Sequence, residues 1–160
     1  MTNAALSAGD VLRSLTRYFQ RHGAMVLHEV PLPNGRRADL IALTPKGEVL
    51  LVEVKVARGD LHADQKWAEY LPWCDQFYWA LADGLDDAIL DHPERLPDRC
   101  GRLIADRYDV ALIREAAHFP MPPARRKAEH LRLSRLAMWR WMLTFDPHLA
   151  GHAGSSDLGI

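Results

Sequence analysis

The chain has 160 residues, 48% of them hydrophobic and 26% charged, which is the size and make-up of one globular domain with a substantial core. A net charge of −1 gives no overall pull toward nucleic acid, and two cysteines, Cys74 and Cys100, are too few for a disulfide scaffold and lack metal-ligand spacing. No apolar run approaches a membrane span, and the opening MTNAALSAGDVL lacks the charged-then-apolar order of a secretory leader, so a cytoplasmic location with reduced thiols is expected.

Residues 8–22 place Val11, Leu12, Leu15, Tyr18 and Phe19 at helical spacing, with Asp10 as the expected N-cap and Gly23 as the stop. Arg13, Arg17 and Arg21 recur every four residues as a basic ridge, either a solvated helix face or a set of phosphate contacts. Residues 24–30 (AMVLHEV) read as a strand. Prolines 31 and 33 follow, then Asn34-Gly35, a strong turn signal, and Arg36-Arg37.

The next two segments, ADLIALT and EVLLVEVKV, are apolar strands with three charges inside them: Asp39, Glu53 and Lys55. Alternation puts Glu53 and Lys55 on one face and Val52, Val54 and Val56 on the other. A three-residue hairpin loop suits Pro45-Lys46-Gly47, with proline opening a type I turn and glycine in the left-handed position. Residues whose numbers sum to 92 then face each other, and Asp39 falls opposite Glu53 beside Lys55. A slip of one residue would send Asp39 to the other face. Two adjacent carboxylates in a half-buried sheet repel unless paired or bound to metal. A hard cation such as Mg²⁺, or Mn²⁺, takes one or two carboxylates and keeps waters for a phosphate substrate. Lys55 would then orient a water or steady a phosphorane. A salt-bridged cluster on an exposed sheet face is the alternative. The eight histidines have no paired spacing near these carboxylates, which argues against zinc.

After Lys55, Ala57-Arg58-Gly59 predicts a turn, and Asp60 a cap for a helix running to about Tyr70, ended by Pro72-Trp73. That helix carries Asp64, Gln65 and Lys66 on its polar side and Trp67 and Leu71 on its apolar side. Residues 75–82 (DQFYWALA) predict a strand parallel to the Glu53 strand through a right-handed crossover. Trp67, Trp73, Phe77, Tyr78 and Trp79 lie in such apolar elements that they are expected in the core. Residues 83–98 hold six acids against Arg95 and include a short helix at DDAIL, whereas residues 125–140 hold six basic residues against Glu129. Local patches of this kind, not totals, bind phosphates. RLIAD and DVALIREA predict a last hairpin about Arg107-Tyr108, and Pro120, Pro122 and Pro123 lead into a helix over 124–144. Apolar residues surround much of that helix, which points to burial or to a contact with a partner, a second copy of the chain (a homodimer) or another protein. The tail from Pro147 is small and polar enough to be disordered, so the domain is expected over residues 1–146.

An Asp opening one strand and Glu-Val-Lys in the next resembles the PD-(D/E)xK nuclease signature, with Asp39, Glu53 and Lys55 in its three places and Ala38 where the proline usually stands. The longer stretches RRADLIAL, EVKVARGDLHADQKWAEYLPWCDQFYWAL and RLIADRYDVALIREA resemble the MmcB family, named for mitomycin C resistance and described as DNA-repair endonucleases. The likeness covers most of residues 10–145. It implies an α/β, restriction-endonuclease-like core with a mixed sheet flanked by helices. It also implies metal-dependent cleavage of DNA, with the cation on Asp39, Glu53 and the Val54 backbone carbonyl. Glu29 is admitted as a further ligand, although the two prolines leave its face open. Arg37, Arg58, Asp60, Gln65 and Lys66 stand where supporting or DNA-binding residues are expected, and Asp64, Gln65 and Lys66 resemble the helix position that helps hold the site in the wider superfamily. The rival expectation is a non-catalytic DNA- or protein-binding module on the same fold.

Overall fold

The computed structural model describes residues 5–151. Six strands form one sheet in the order β1-β2-β3-β4-β5-β6: β1 (Met25–Pro31), β2 (Arg37–Leu43), β3 (Val49–Lys55), β4 (Gln76–Ala82), β5 (Gly101–Ala105) and β6 (Val110–Arg114). The pairs β3–β4 and β4–β5 are parallel and the rest antiparallel, so the sheet is mixed, with helices on both faces. This α/β architecture is compatible with a restriction-endonuclease-like core. The central strands β3 and β4 are buried almost end to end because both faces are covered.

Helix α1 (Ala8–Arg21) lays Val11, Leu15 and Phe19 on one face, against Leu40, Ala42, Val52, Val54 and Ala80. Its N-cap is Ser7, not Asp10. Asp10 stands at N3, where its carboxylate accepts the Ser7 backbone N–H while the Ser7 hydroxyl accepts the Asp10 N–H, a reciprocal capping box. The arginine ridge on this helix is engaged within the fold: Arg13 pairs with Asp10, Arg21 with Asp109, and Arg17 donates to the Arg107 carbonyl.

The opposite face packs Ile41, Leu51, Phe77, Trp79 and Leu81 beneath α2 (Arg58–Ala63), the 3-10 segment Trp67–Trp73 and α3 (Pro123–Phe145). Of the five aromatics expected in the core, Trp67, Phe77, Tyr78 and Trp79 are buried and Trp73 is half-buried at its edge. The single helix expected from Asp60 to Tyr70 is instead two pieces, with extended backbone at Asp64 (φ −73°, ψ 96°) between them. Asp60 is exposed and stands inside α2; Ala57 is the N-cap. The 3-10 segment ends at Trp73, as Pro72-Trp73 predicts, with Pro72 its last but one residue, where the missing N–H is tolerated. The acidic stretch contains two 3-10 turns, Ala88–Asp91 and Pro93–Arg95.

The hairpin between β2 and β3 has the expected loop. Gly47 sits at φ +81°, and its N–H donates to the Thr44 carbonyl. The pairs Leu40↔Val52, Ile41↔Leu51 and Leu43↔Val49 all sum to 92. Buried Asp75 ties this end of the hairpin to α3: its carboxylate accepts the Val49 and Met121 N–H groups and pairs with Arg126 at 2.5 Å. At the far side of the sheet, a Cβ on Gly101 would lie 2.3 Å from the Tyr78 ring and 2.9 Å from the Ala116 nitrogen. Gly101→Ala is therefore expected to cost roughly 1–3 kcal/mol by overpacking, read as a lower urea midpoint at unchanged slope. An unchanged midpoint would show that the ring swings aside freely.

The charge segregation read along the chain is largely consumed inside the fold. Asp87 and Asp91 pair with Arg102, Asp91 also with Arg114, and Asp86 with Arg58. In α3, Arg126 pairs with Asp75, Arg132 with Glu129, and Arg140 donates to the His28 and Glu29 carbonyls. The basic run is thus mostly an anchor for α3, not an open patch. Cys74 and Cys100 are buried free thiols. The tail begins with a 3-10 turn, Pro147–Gly151; its expected disorder beyond that point lies outside the described residues. No helix among the described residues is long and apolar enough to cross a membrane.

Candidate active site

At the C-terminal end of β3 the backbone ladder to β2 stops at Leu40↔Val52. One step further, side chains replace backbone partners. The Val54 N–H donates to Asp39 Oδ2 at 2.8 Å, and the Asp39 N–H donates to Glu53 Oε1 at 3.3 Å. Each carboxylate thus satisfies an N–H that the splayed strands would leave unpaired. Residues in an antiparallel pair present N–H and C=O to the same edge, which directs the Val54 carbonyl toward Asp39 as well.

Burial and the neighbouring Asp39 charge push the Glu53 carboxyl up to about 8, against an ordinary value of 4.5. Burial also raises Asp39, opposed by the hydrogen bond from Val54 and the charge of Lys55. Lys55 Nζ lies 3.8 Å from Glu53 Oε2 and 2.8 Å from Asp64 Oδ2. Beneath it is the fully buried Trp79 ring, whose centroid is 5.8 Å from Nζ. Tyr70 closes one side: its hydroxyl donates to the Arg37 carbonyl, and burial and the Glu53 and Asp39 charges raise its pKa.

Asp39, Glu53 and Lys55 are therefore brought together, with Asp64 added. The residues expected around them behave differently. Glu29 has φ +47° and an exposed side chain paired with Arg37 at 3.5 Å, so its carboxylate joins Arg37 and not the Asp39–Glu53 pair. Arg58 is exposed and paired with Asp86 at 3.3 Å. Asp60 points into solvent; Gln65 is exposed and donates to the His62 carbonyl; Lys66 is exposed, and its backbone N–H donates to Asp64 Oδ1. Of Asp64, Gln65 and Lys66, the helix residues that the resemblance admits as holding the site, only Asp64 has a side chain that pairs with Lys55, a contact that one continuous helix does not show. Its signal was an Asx-turn former in mid-helix, followed two residues later by the N–H it captures.

Among the described residues no three His, Cys, Asp or Glu side chains form a ready-made metal cage. What the site offers is two oxygen donors of one charge type plus a carbonyl, a set suited to a hard cation that retains waters. A hollow of about 800 Å³, lined by Pro122, Arg126, Lys127 and His130, lies beside the β2–β3 turn at the other end of β3.

A family model of DNA repair protein MmcB-like chains matches residues 3–148. The chain belongs to the MmcB-like family. Its membership connects this fold to DNA repair. Among solved structures, the MmcB-like chain is similar to the SPO1766 protein of unknown function from Silicibacter pomeroyi. The two share 36% identity at a TM-score of 0.76, over 89% of this chain and 94% of that one. No curated protein matches.

Proposed function

We propose that this chain is a Mg²⁺- or Mn²⁺-dependent endonuclease that hydrolyses DNA phosphodiester bonds during repair. The observation that carries the reading is the buried Asp39–Glu53 pair inserted into the broken ladder with Lys55 alongside. Each carboxylate has one oxygen on a backbone N–H, and Asp39 Oδ1, Glu53 Oε2 and the Val54 carbonyl are the atoms that would hold the cation. When bound, such a cation polarises the phosphoryl oxygen and lowers the pKa of water. Lys55, fixed by Asp64 and the Trp79 face, presents its ammonium to the scissile phosphate and the approaching water, where it stabilises charge that grows in the transition state. Arg37 and Arg58 flank the site in exposed ion pairs of little net worth, so a DNA phosphate can replace their carboxylate partners. The test is cleavage of labelled branched, nicked and single-stranded DNA with either cation, wild type beside Lys55→Ala. Cleavage by wild type alone supports the assignment; equal cleavage by both overturns it.

Asp64 acts through Lys55 in this scheme. Asp64→Asn is expected to lower the cleavage rate roughly ten- to hundredfold by loosening the lysine, with Mn²⁺ affinity nearly unchanged. A matching loss of Mn²⁺ affinity in calorimetry would instead make Asp64 a ligand.

A second reading rests on the same contacts. Both carboxylates already accept N–H groups and Lys55 already has two acidic partners, which is what a structural cluster in a DNA- or protein-binding module needs. That reading predicts no Mg²⁺ or Mn²⁺ binding. The enzyme reading predicts binding that Asp39→Asn removes.

A further inference from the structure

Helix α3 buries Leu133 and Leu136 against the sheet and leaves a second apolar stripe outside. Leu131, Met138, Trp141, Met142 and Phe145 are 64, 65, 73, 46 and 88% exposed. At 3.6 residues per turn these five fall within an arc of roughly 100°. Leu131, Met138 and Phe145 are spaced by seven, and Trp141 follows Met138 by three, the spacing of a coiled-coil seam. A contiguous stripe containing an exposed tryptophan is unusual on a monomer surface and typical of the centre of an interface.

We propose that the occupant of this stripe is a second copy of the chain, with the two α3 helices antiparallel about a twofold axis passing by Met138. The stripe is self-complementary about that residue. Leu131 lies seven positions before it and Phe145 seven after, so each Leu131 meets Phe145 of the second copy while the two Met138 side chains meet each other. Arg135 falls opposite Trp141 of the second copy, where guanidinium and indole stack favourably. An isologous contact requires this kind of self-matching. The parallel alternative would set the basic first turns, with Arg125 and Lys127, side by side and align the helix dipoles. The five side chains expose roughly 700 Å² per copy, close to the ~800 Å² per partner of a stable interface. DNA is a poor occupant for so apolar a strip, because phosphate contacts need cations.

Sedimentation equilibrium of the full chain tests this directly. Wild type is expected at twice 18.1 kDa, and Met138→Glu at 18.1 kDa with unchanged circular dichroism. Phe145→Glu, at the end of the stripe, repeats the halving should Met138→Glu fail to fold. Under mild oxidation Met138→Cys is expected to cross-link to itself and Leu131→Cys is not. A wild-type mass of 18.1 kDa overturns the proposal and leaves the face to a different partner. A dimer that survives Met138→Glu, or self-cross-linking of Leu131→Cys, also overturns it.

Discussion

Lys55→Ala and Asp39→Asn are each expected to lower DNA cleavage by about 10³-fold or more, since each removes charge placed where the transition state needs it. Their effects on folding differ, which makes the pair informative. Asn at position 39 keeps a side-chain oxygen for the Val54 N–H and relieves repulsion with Glu53, so the variant should melt no lower than wild type. Alanine at position 55 leaves Asp64 without its cation in a half-closed site, at a cost of about 1–3 kcal/mol. Lys55→Met restores the stem's packing on Trp79 without the charge and separates lost chemistry from lost stability. The measurement is a single-turnover cleavage rate beside a thermal melt for all three. Normal rates in Asp39→Asn and Lys55→Met would place the chemistry elsewhere.

The hairpin was readable because its determinants are local. Proline and glycine at the ends of a three-residue loop fix the register, and register alone puts Asp39 beside Glu53 and Lys55 on one face. The parallel crossover and the last hairpin follow from alternation and spacing in the same way. What the sequence withheld depends on where strands separate and where charges meet in space. The bonds from the Val54 N–H to the Asp39 carboxylate and from the Asp39 N–H to the Glu53 carboxylate exist only because β2 and β3 diverge beyond Leu40. Asp64 reaches Lys55 only because the helix breaks, and a weighing of helix propensity over residues 60–70 favours continuity. The basic and acidic runs looked like open patches because a count along the chain cannot see Arg102 with Asp87, or Arg126 with Asp75, each closing a long-range pair. Glu29 was undecidable for a related reason: its left-handed backbone conformation at φ +47° breaks the alternation that would have assigned its face.

The cation-free protein is expected to lose stability as pH rises from about 5 to 9, opposite to the usual behaviour of paired carboxylates. Glu53 titrates near 4.5 when unfolded and at about 8 in the fold. Between these values the native state holds a proton that the unfolded state has released, so its contribution is full below 4.5 and is lost as pH climbs through 8. Asp39, also raised, adds to the same slope. The lowered carboxyls, Asp10 at about 2 with Asp91, Asp106, Asp109 and Glu69, tilt stability the other way below the ordinary carboxylate range, and His28, held below 6.5 by burial, tilts it the other way as pH rises to about that value, so the difference between wild type and Glu53→Gln isolates the site. The effect is on the order of a few kcal/mol, or a fall in Tm of roughly 5–10 °C. Glu53→Gln retains an acceptor for the Asp39 N–H without a titrating proton and should flatten the curve. Mg²⁺ or Mn²⁺ should raise Tm more at pH 9 than at pH 6, because at the lower pH the cation must first displace the Glu53 proton. Scanning calorimetry across this range, with and without cation, reads all three. A wild-type slope shared by Glu53→Gln would assign the titration to another group, and a cation effect independent of pH would move metal binding away from Glu53. If the slope vanishes in Glu53→Gln but no cation restores stability at pH 9, the buried pair is a structural cluster and the site has no metal to hold.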